Sequence, residues 1–497
     1  MHITPYYRID LTKKQGTSSK NGFPNGASTM RTLRTILFLI SFFLVVTISV
    51  AQTDSKPNII VILSDDQGWA DVGWHSKEIR TPALDRLAAE GMRLEQFYVQ
   101  PVCSPTRAAF LTGRYPMRCG LQVGVVRPGA GYGLPLDERT LADALREAGY
   151  FTAICGKWHL GESKKEFLPN QRGFDHHYGL YLGNLDYYTH LRDGGLDWHR
   201  NGKPIREEGY TTDLIADESV RLIQQHDSKK PFFLYVPFNA VHSPYQESPH
   251  REINESYAHL TRENRRIYAG MVTAMDAAIG RILNAVEEKG IKNNTIIFFC
   301  SDNGGPAPGT ITDNGPLRAG KGTLYEGGVR VPACITWSSK IKAGSVTNSP
   351  MHIVDLYPTL LNITGASLKQ THPLDGRDLS GIILAGQTDP EREILLNASP
   401  YSGALRKGDW KIVLNGSVGA LGTPKDKLMT DKSSKPDIEL FNLANDLGEK
   451  NDLAVSHPEK AKELLERYWF YAEQAAPSLY RLPPGNFKTP DVWGDFD

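Results

Sequence analysis

An α/β sandwich, with a large, mostly parallel mixed sheet flanked by helices and a smaller C-terminal α+β domain, is the fold class this sequence predicts. Three observations carry that expectation. Apolar runs alternate with segments of helical periodicity, four of the runs end in loops rich in Asp, Asn, Lys and His, and the texture changes after about residue 390. Alternating strands and helices favour parallel pairing with helices on both faces. Ligands in such sheets sit beyond the carboxyl ends of the strands, so the four polar loops can meet at one site.

Residues 58–63 read as a buried strand that runs into Ser64-Asp65-Asp66-Gln67-Gly68. Residues 81–90 read as a helix with Thr81 as cap, Pro82 in the first turn and Gly91 as stop. The run Cys103-Ser104-Pro105-Thr106-Arg107 places a cysteine just ahead of a further helix, with Ser104 suited to the N-cap, Pro105 to the first helical position and Gly113 to the stop. The free N–H groups and positive dipole end of such a helix favour an anion beside residue 103. Residues 140–148 repeat the pattern of residues 81–90, with Thr140 as cap and Gly149 as stop. The strand at 150–155 leads into Gly156-Lys157-Trp158-His159, and the strand at 232–236 into a loop ending at His242. A long amphipathic helix at 264–289 stops at Gly290, and the strand at 295–300 leads into Ser301-Asp302-Asn303-Gly304-Gly305. Short antiparallel strands follow at 393–398, 404–406, 410–414 and 439–442, with a closing helix at 458–475.

Bulk composition excludes some partners. Lys+Arg and Asp+Glu balance at 56 each, so no global field favours nucleic acid, and any anion specificity is local. Hydrophobic content of 40% and charged content of 23% fit a soluble globular chain. Arg31 and Arg34 precede an uncharged run over 36–50 that ends in Ser49-Val50-Ala51, the order of a secretory signal cleaved near Ala51/Gln52. That run is short for a membrane span, and no cysteine follows the cleavage point to carry a lipid. Residues 1–29 are polar, which makes Met30 a candidate start. A secreted or periplasmic protein (lysosomal or extracellular in a eukaryote), without stable membrane insertion after cleavage, is expected; an uncleaved anchor is the alternative. Five cysteines are too few for a disulfide scaffold. Cys155, Cys300 and Cys334 lie in apolar runs and read as buried thiols, while pairing among them and Cys119 stays open.

Two strand-end pairs carry the chemistry. Asp65-Asp66 and Asp302-Asn303 offer three carboxylates and an amide oxygen. Carboxylates gathered so closely repel unless a cation sits among them, and hard oxygen donors suit Ca²⁺ or Mg²⁺ better than Zn²⁺. The bland alternative is that both pairs only terminate strands as turn formers. Lys157, His159, His242 and Lys321 lie in loops from which they can neutralise an oxyanion and handle protons. Arg107 sits one helical turn beyond Cys103, close enough for a contact supported by the helix.

Several of these stretches together resemble one family. Cys103-Ser104-Pro105-Thr106-Arg107 with Leu111-Thr112-Gly113-Arg114, Gly156-Lys157-Trp158-His159-Leu160-Gly161, Ser301-Asp302-Asn303-Gly304-Gly305 and Glu326-Gly327-Gly328-Val329-Arg330 resemble the signatures of type I, formylglycine-dependent sulfatases. Arg172-Gly173-Phe174-Asp175, Asp186-Tyr187-Tyr188-Thr189-His190, Tyr268-Ala269-Gly270-Met271-Val272 and the run from His352 to Thr359 are similar to the arylsulfatase B, N-acetylgalactosamine-4-sulfatase-like branch. The resemblance covers roughly residues 57–475. It implies an alkaline-phosphatase-like fold with a signal and extension at 1–51, a catalytic domain at 52–390 and a C-terminal subdomain at 391–497.

The resemblance also implies that Cys103 is converted to 3-oxoalanine (Cα-formylglycine) by a formylglycine-generating or anaerobic sulfatase-maturating enzyme. Hydration gives a gem-diol; one hydroxyl attacks sulfur, and the other then collapses to the aldehyde and expels sulfate. By the same implication Asp65, Asp66, Asp302 and Asn303, with the modified Cys103, bind one Ca²⁺. Asp302 accepts a proton from the attacking hydroxyl, Arg107 steadies the hydrated aldehyde, and Lys157 and Lys321 grip sulfate oxygens. His242 is the candidate general acid, and His159 the base for elimination. Thr106 stands where serine or alanine is commoner in the motif, which bears on the choice of maturation system.

The expected activity is sulfate-ester hydrolysis on a sulfated polysaccharide or derived oligosaccharide. The segment 186–198, rich in aromatic, His and Arg residues, either lines the sugar pocket or packs as a surface loop. Two alternatives remain at this level: a phosphoester hydrolase of the same fold, and a non-catalytic Ca²⁺-dependent glycan-binding protein.

Overall fold

The computed structural model describes residues 56–496 apart from 228, 400, 401 and 418–435. The signal and extension expected at 1–51 lie outside the described residues. The centre of the main sheet is β1 (Asn58–Ser64), the run NIIVILS, buried at every position. Strands covered on both faces carry continuous apolar sequence of this kind. The remaining main-sheet strands are β2 (Met92–Leu94), β3 (Phe151–Lys157), β4 (His176–Leu180), β5 (His199–Arg200), β6 (Lys203–Pro204), β7 (Phe232–Pro237), β8 (Thr295–Ser301), β9 (Ala333–Thr336) and β10 (Ser345–Thr347). They form one ten-stranded sheet in the order β10-β2-β9-β8-β1-β7-β3-β4-β5-β6. The core pairs β8-β1-β7-β3-β4 are parallel, and antiparallel β9 and β5 flank them.

Alternate residues of β1 feed two apolar layers. Ile59, Val61 and Leu63 face the layer with Phe110, Leu145 and Leu360, contributed by α2 (Cys103–Thr112), α3 (Leu141–Glu147) and α6 (Leu356–Thr364). Ile60 and Ile62 face the layer with Leu84, Ile215, Met271 and Ile279, from α1 (Pro82–Glu90), α4 (Thr211–Gln225) and α5 (Glu263–Glu288). A period of two on a sheet with helices on both faces produces this division.

The C-terminal strands β11 (Glu393–Ala398), β12 (Gly403–Lys407), β13 (Trp410–Leu414) and β14 (Ile438–Asn442) form a four-stranded antiparallel sheet in chain order. Helix α7 (Pro458–Ala472) packs on it, and Leu405, Ile412, Leu464 and Tyr468 join the apolar layer of Ile59. Lys56–Asp497 accordingly forms one compact unit. Among the described residues no helix is long and apolar enough to cross a membrane. All five cysteines are buried and free.

The sequence expectation for two helix caps needs correction. Helix α2 begins at Cys103 with Val102 as N-cap, so Ser104 is inside the first turn and caps nothing. Its Oγ is engaged elsewhere, donating to His159 O (2.9 Å) and accepting from Val126 N–H (3.0 Å). Thr81 also makes no side-chain cap bond. Asp276 of α5 caps α1 instead, accepting from the N–H groups of Ala83 (2.9 Å) and Leu84 (2.8 Å). Thr140 does cap α3, in a capping box with Asp143.

Candidate functional site

Strand register assembles the site. Ser64 pairs with Ser301 at the parallel ends of β1 and β8, so the next residues, Asp65 and Asp302, emerge side by side. On the other flank β3 delivers Lys157 and, just beyond, His159. Gly156 is required there, because a Cβ at φ +136° would lie 2.0 Å from Pro237 O of β7. Beyond Pro237 the chain carries Asn239 and His242. The four loops thus bring Asp65, Asp66, Lys157, His159, His242, Asp302 and Asn303 together, and α2 adds Cys103 and Arg107.

Charges are paired closely and out of water. The Arg107 guanidinium, fully buried, donates Nη2 (2.8 Å) and Nε (3.2 Å) to Asp302 Oδ2, and Nη1 to Lys157 O (2.8 Å). Arg107 Nη2 also lies 3.7 Å from Asp65 Oδ2. Lys157 donates to Asp65, both with no exposure. Lys321, from the loop before Glu326, sits 2.5 Å from Asp66 Oδ1. His242 Nε2 is 3.6 Å from Asp66 Oδ2. Cys103 belongs to the same cluster, since ligand atoms of Asp65, Cys103 and Asp302 all lie within 4.8 Å of one another.

Proton affinities diverge accordingly. Burial, with Asp302 and Asp66 nearby, holds the Asp65 carboxyl above its usual range despite Lys157 and Arg107. Burial would raise Asp66 too, but Lys321, His242 and the hydrogen bond from Asn303 keep it well below the usual range. Burial and then Lys321 push His242 down to about 3. Burial, then Lys157 and Arg107, push His159 well below its ordinary value. Both imidazoles are therefore neutral near pH 7. Burial raises the Cys103 thiol.

The donor set fits a hard divalent cation. Asp65 Oδ1 and Asn303 Oδ1 are buried and have no hydrogen-bond partner among the described residues. Such oxygens are costly to leave bare, and both belong to a cluster of three carboxylates and an amide without thiolate or imidazole dominance. Asn303 donates Nδ2 to Asp66 Oδ1 (2.7 Å), which keeps its oxygen free.

Two supporting residues have no role legible in the sequence. Tyr187, inside a motif already singled out, places its hydroxyl 2.8 Å from His242 O and 2.9 Å from Asn239 O, supporting the His242 loop from beneath. Ser104 is the link between α2 and His159 rather than a cap. The segment 186–198 is divided: Tyr187, His190, Leu196, Asp197 and Trp198 are buried, whereas Tyr188, Thr189, Asp193 and Gly194 are exposed.

The chain is similar in sequence and fold to known sulfatases. The sequence profile of the Sulfatase family matches residues 57–366. Arylsulfatase J of Mus musculus is 37% identical over 484 residues, covering 88% of this chain and 80% of its own. N-acetylgalactosamine-6-sulfatase of Mus musculus is 37% identical over 362 residues, 68% of each chain. Among solved structures, Ps i-CgsB in complex with k-i-k-neocarrahexaose superposes with a TM-score of 0.76 at 32% identity, covering 85% of this chain and 94% of that one. The PsFucS1 sulfatase from Pseudoalteromonas sp. gives 0.70 at 30% identity, covering 85% and 91%. The alkaline-phosphatase-like architecture extends further, to the phosphonate monoester hydrolase of Agrobacterium radiobacter, which shares the fold alone (TM-score 0.58, 19% identity). With a family profile over most of its length and relatives above a third identical, the chain belongs to the sulfatase family and is a sulfuric ester hydrolase.

Proposed function

We propose that this sulfatase removes sulfate from a carbohydrate ester, using Cys103 matured to formylglycine and one Ca²⁺ held by Asp65, Asp66, Asp302, Asn303 and the matured residue 103. The observation that carries the proposal is the buried group of three carboxylates and Asn303, with two unpartnered oxygens, packed against Cys103. The carbohydrate reading draws on relatives named for N-acetylgalactosamine 6-sulfate and on a structure bound to a neocarrahexaose. The signal-like order of residues 31–51 supports a secreted or periplasmic setting.

When present, the matured residue supplies a hydrated-aldehyde nucleophile and the cation supplies fixed positive charge beside it. The chain's own residues do the rest. Arg107, locked by Asp302 and Lys157 O, presents a charge that cannot be lost to titration one turn into α2 from residue 103. Lys157 and Lys321 bring ammonium groups to the place where sulfate oxygens gather charge, and fixed charge already in position lowers the barrier to such transfers more than any other single effect. His242, only 18% exposed at its side chain, gives its Nδ1–H to Ser243 O (2.6 Å) and lies with Nε2 3.6 Å from Asp66 Oδ2. To serve as the acid for the leaving oxygen it must first take a proton at Nε2, which an incoming sulfate dianion favours. His159 is neutral, and its Nδ1 is buried without a partner among the described residues, so it can accept a proton from residue 103.

Mass spectrometry of the peptide bearing residue 103, purified from a host with a maturation system, tests the proposal together with hydrolysis of 4-nitrophenyl sulfate against 4-nitrophenyl phosphate and a panel of sulfated oligosaccharides. Conversion at residue 103, sulfate-ester preference and release of sulfate from at least one sugar are expected, and Cys103→Ala abolishes turnover. An unconverted thiol in fully active protein, or preference for the phosphate, overturns it.

A further inference from the structure

Beyond α7 the segment 476–494 returns to the loops that surround the site. Ala476 N–H donates to Met117 O (2.8 Å), Leu479 N–H to Gly120 O (2.9 Å), and Gln122 Nε2 to Ala476 O (2.9 Å). Arg481 gives Nε to Ala130 O (2.7 Å) and Nη2 to Gly131 O (2.5 Å), with its guanidinium 5.6 Å over the Tyr132 ring. The chain then pairs with a different loop: Leu196 N–H donates to Asp491 O and Trp493 N–H to Leu196 O, both at 2.9 Å. Trp493 is 2% exposed, and its Nε1 donates to Arg192 O (2.9 Å). Phe487 stacks on Trp493 (centroids 5.9 Å) and lies so close to the Gly129 backbone that a Cβ there would sit 2.3 Å from its ring.

The two loops so joined are those that touch the two histidines. In the loop 120–132, Val126 O lies 3.1 Å from His159 Nε2. In the loop 184–198, the Tyr187 hydroxyl meets His242 O (2.8 Å) and Asn184 Nδ2 donates to Ser243 O (2.9 Å). The deeper charged groups do not depend on the segment, because Arg107, Lys157 and Lys321 are fixed to Asp302, Asp65 and Asp66 at the sheet ends.

We propose that residues 476–494 are a specificity-determining strap. It sets the spacing of the two rims between which the non-reacting part of the substrate enters, while the charged groups Arg107, Lys157 and Lys321 are held independently below. Its substrate consequence rests on the carbohydrate reading above. Loosening the strap lets the rims move apart, which weakens the hold on a large substrate and leaves a small ester largely unaffected.

Two variants test this on the full, matured chain: Trp493→Ala, and Arg481→Ala as the milder change at an exposed anchor. Amide hydrogen exchange in 120–132 and 184–198 is expected to quicken at least tenfold in Trp493→Ala, and in 120–132 in Arg481→Ala, with β1, β7 and β8 unchanged. KM for a sulfated chondroitin tetrasaccharide is expected to rise tenfold or more, while kcat for 4-nitrophenyl sulfate stays within twofold. Unchanged exchange in both rims overturns the strap, as does an equal loss of kcat on both substrates. If the parent enzyme cleaves only the aryl ester, the carbohydrate reading fails, and the exchange rates alone still decide the strap.

Discussion

Replacing Arg107 with methionine keeps most of the side-chain volume and removes only the charge and its hydrogen bonds. Arg107 has no exposure; it makes two bonds to Asp302 Oδ2, one to Lys157 O, and faces Asp65 at 3.7 Å. Without it, three buried carboxylates are left with two lysines. Breaking a buried pair by removing one partner costs about 3–5 kcal/mol, because the other charge stays desolvated. Arg107→Met is therefore expected to raise the unfolding constant by roughly 150- to 5,000-fold. Urea unfolding in chelator, followed by tryptophan fluorescence, measures it without a contribution from bound cation. Asp302→Asn in the Arg107→Met background is expected to restore at least about 2 kcal/mol, since it removes the stranded carboxylate. A loss below about 1 kcal/mol, or a double variant whose cost is the sum of the singles, refutes the reasoning.

Three further outcomes follow from other parts of the molecule. Burial holds His199 and His352 down to about 3, so each is neutral in the folded chain and takes a proton only when unfolded as pH falls below about 6.5. Stability is fully present above that pH and is lost on acidification, by about 2 kcal/mol per histidine at pH 5, which thermal melts of His199→Phe against the parent at pH 7 and pH 5 measure as a reduced acid loss. Lys411 lies 2.9 Å from Glu326 Oε1 and 2.8 Å from Glu449 Oε1, all fully buried. Burial, with Glu326 nearby, keeps Glu449 high, whereas Lys411 and Arg330 hold Glu326 low against its own burial. Glu326→Gln should thus cost about 3 kcal/mol and Glu449→Gln under about 1.5 kcal/mol in the same unfolding assay. Gly183→Ala places a Cβ 2.6 Å from His159 Cε1, so the ring must turn; kcat for 4-nitrophenyl sulfate is expected to fall about 10²-fold with melting temperature little changed.

Asp65, Asp66, Lys157, His159, His242, Asp302 and Asn303 were legible because they stand at the ends of, or follow, apolar runs of strand length. A parallel sheet converts that local pattern into a shared edge, and the pairing of Ser64 with Ser301 turns two distant Asp-containing loops into neighbours. What could not be read locally was supplied by tertiary partners. Ser104 has the sequence signature of an N-cap, yet His159 O and Val126 N–H claim its hydroxyl and the helix starts one residue before it. Asp276 caps α1 from 192 residues away, a pairing without local signature. The segment 476–494 has neither helical nor strand periodicity, because backbone and side-chain bonds to two separate loops fix its course.

The pairing pattern around the carboxylates ties anion binding to cation binding. Lys157 is committed to Asp65, Lys321 to Asp66 and Arg107 to Asp302, so the three positive groups are occupied by internal partners. A sulfate dianion entering this cluster alone would compete with three buried carboxylates for the same donors. A hard cation on the carboxylate oxygens relieves that competition and leaves both ammonium groups with charge to offer, so each ligand strengthens the other to the same degree. Calorimetric titration of inorganic sulfate into calcium-loaded and chelated protein is expected to show affinity at least tenfold higher with calcium, about 1.4 kcal/mol of coupling, and calcium affinity raised by the same factor in sulfate. Equal sulfate affinity in both preparations would mean that the lysines are not held by the aspartates in solution, and the electrostatic account of the site would fail with it.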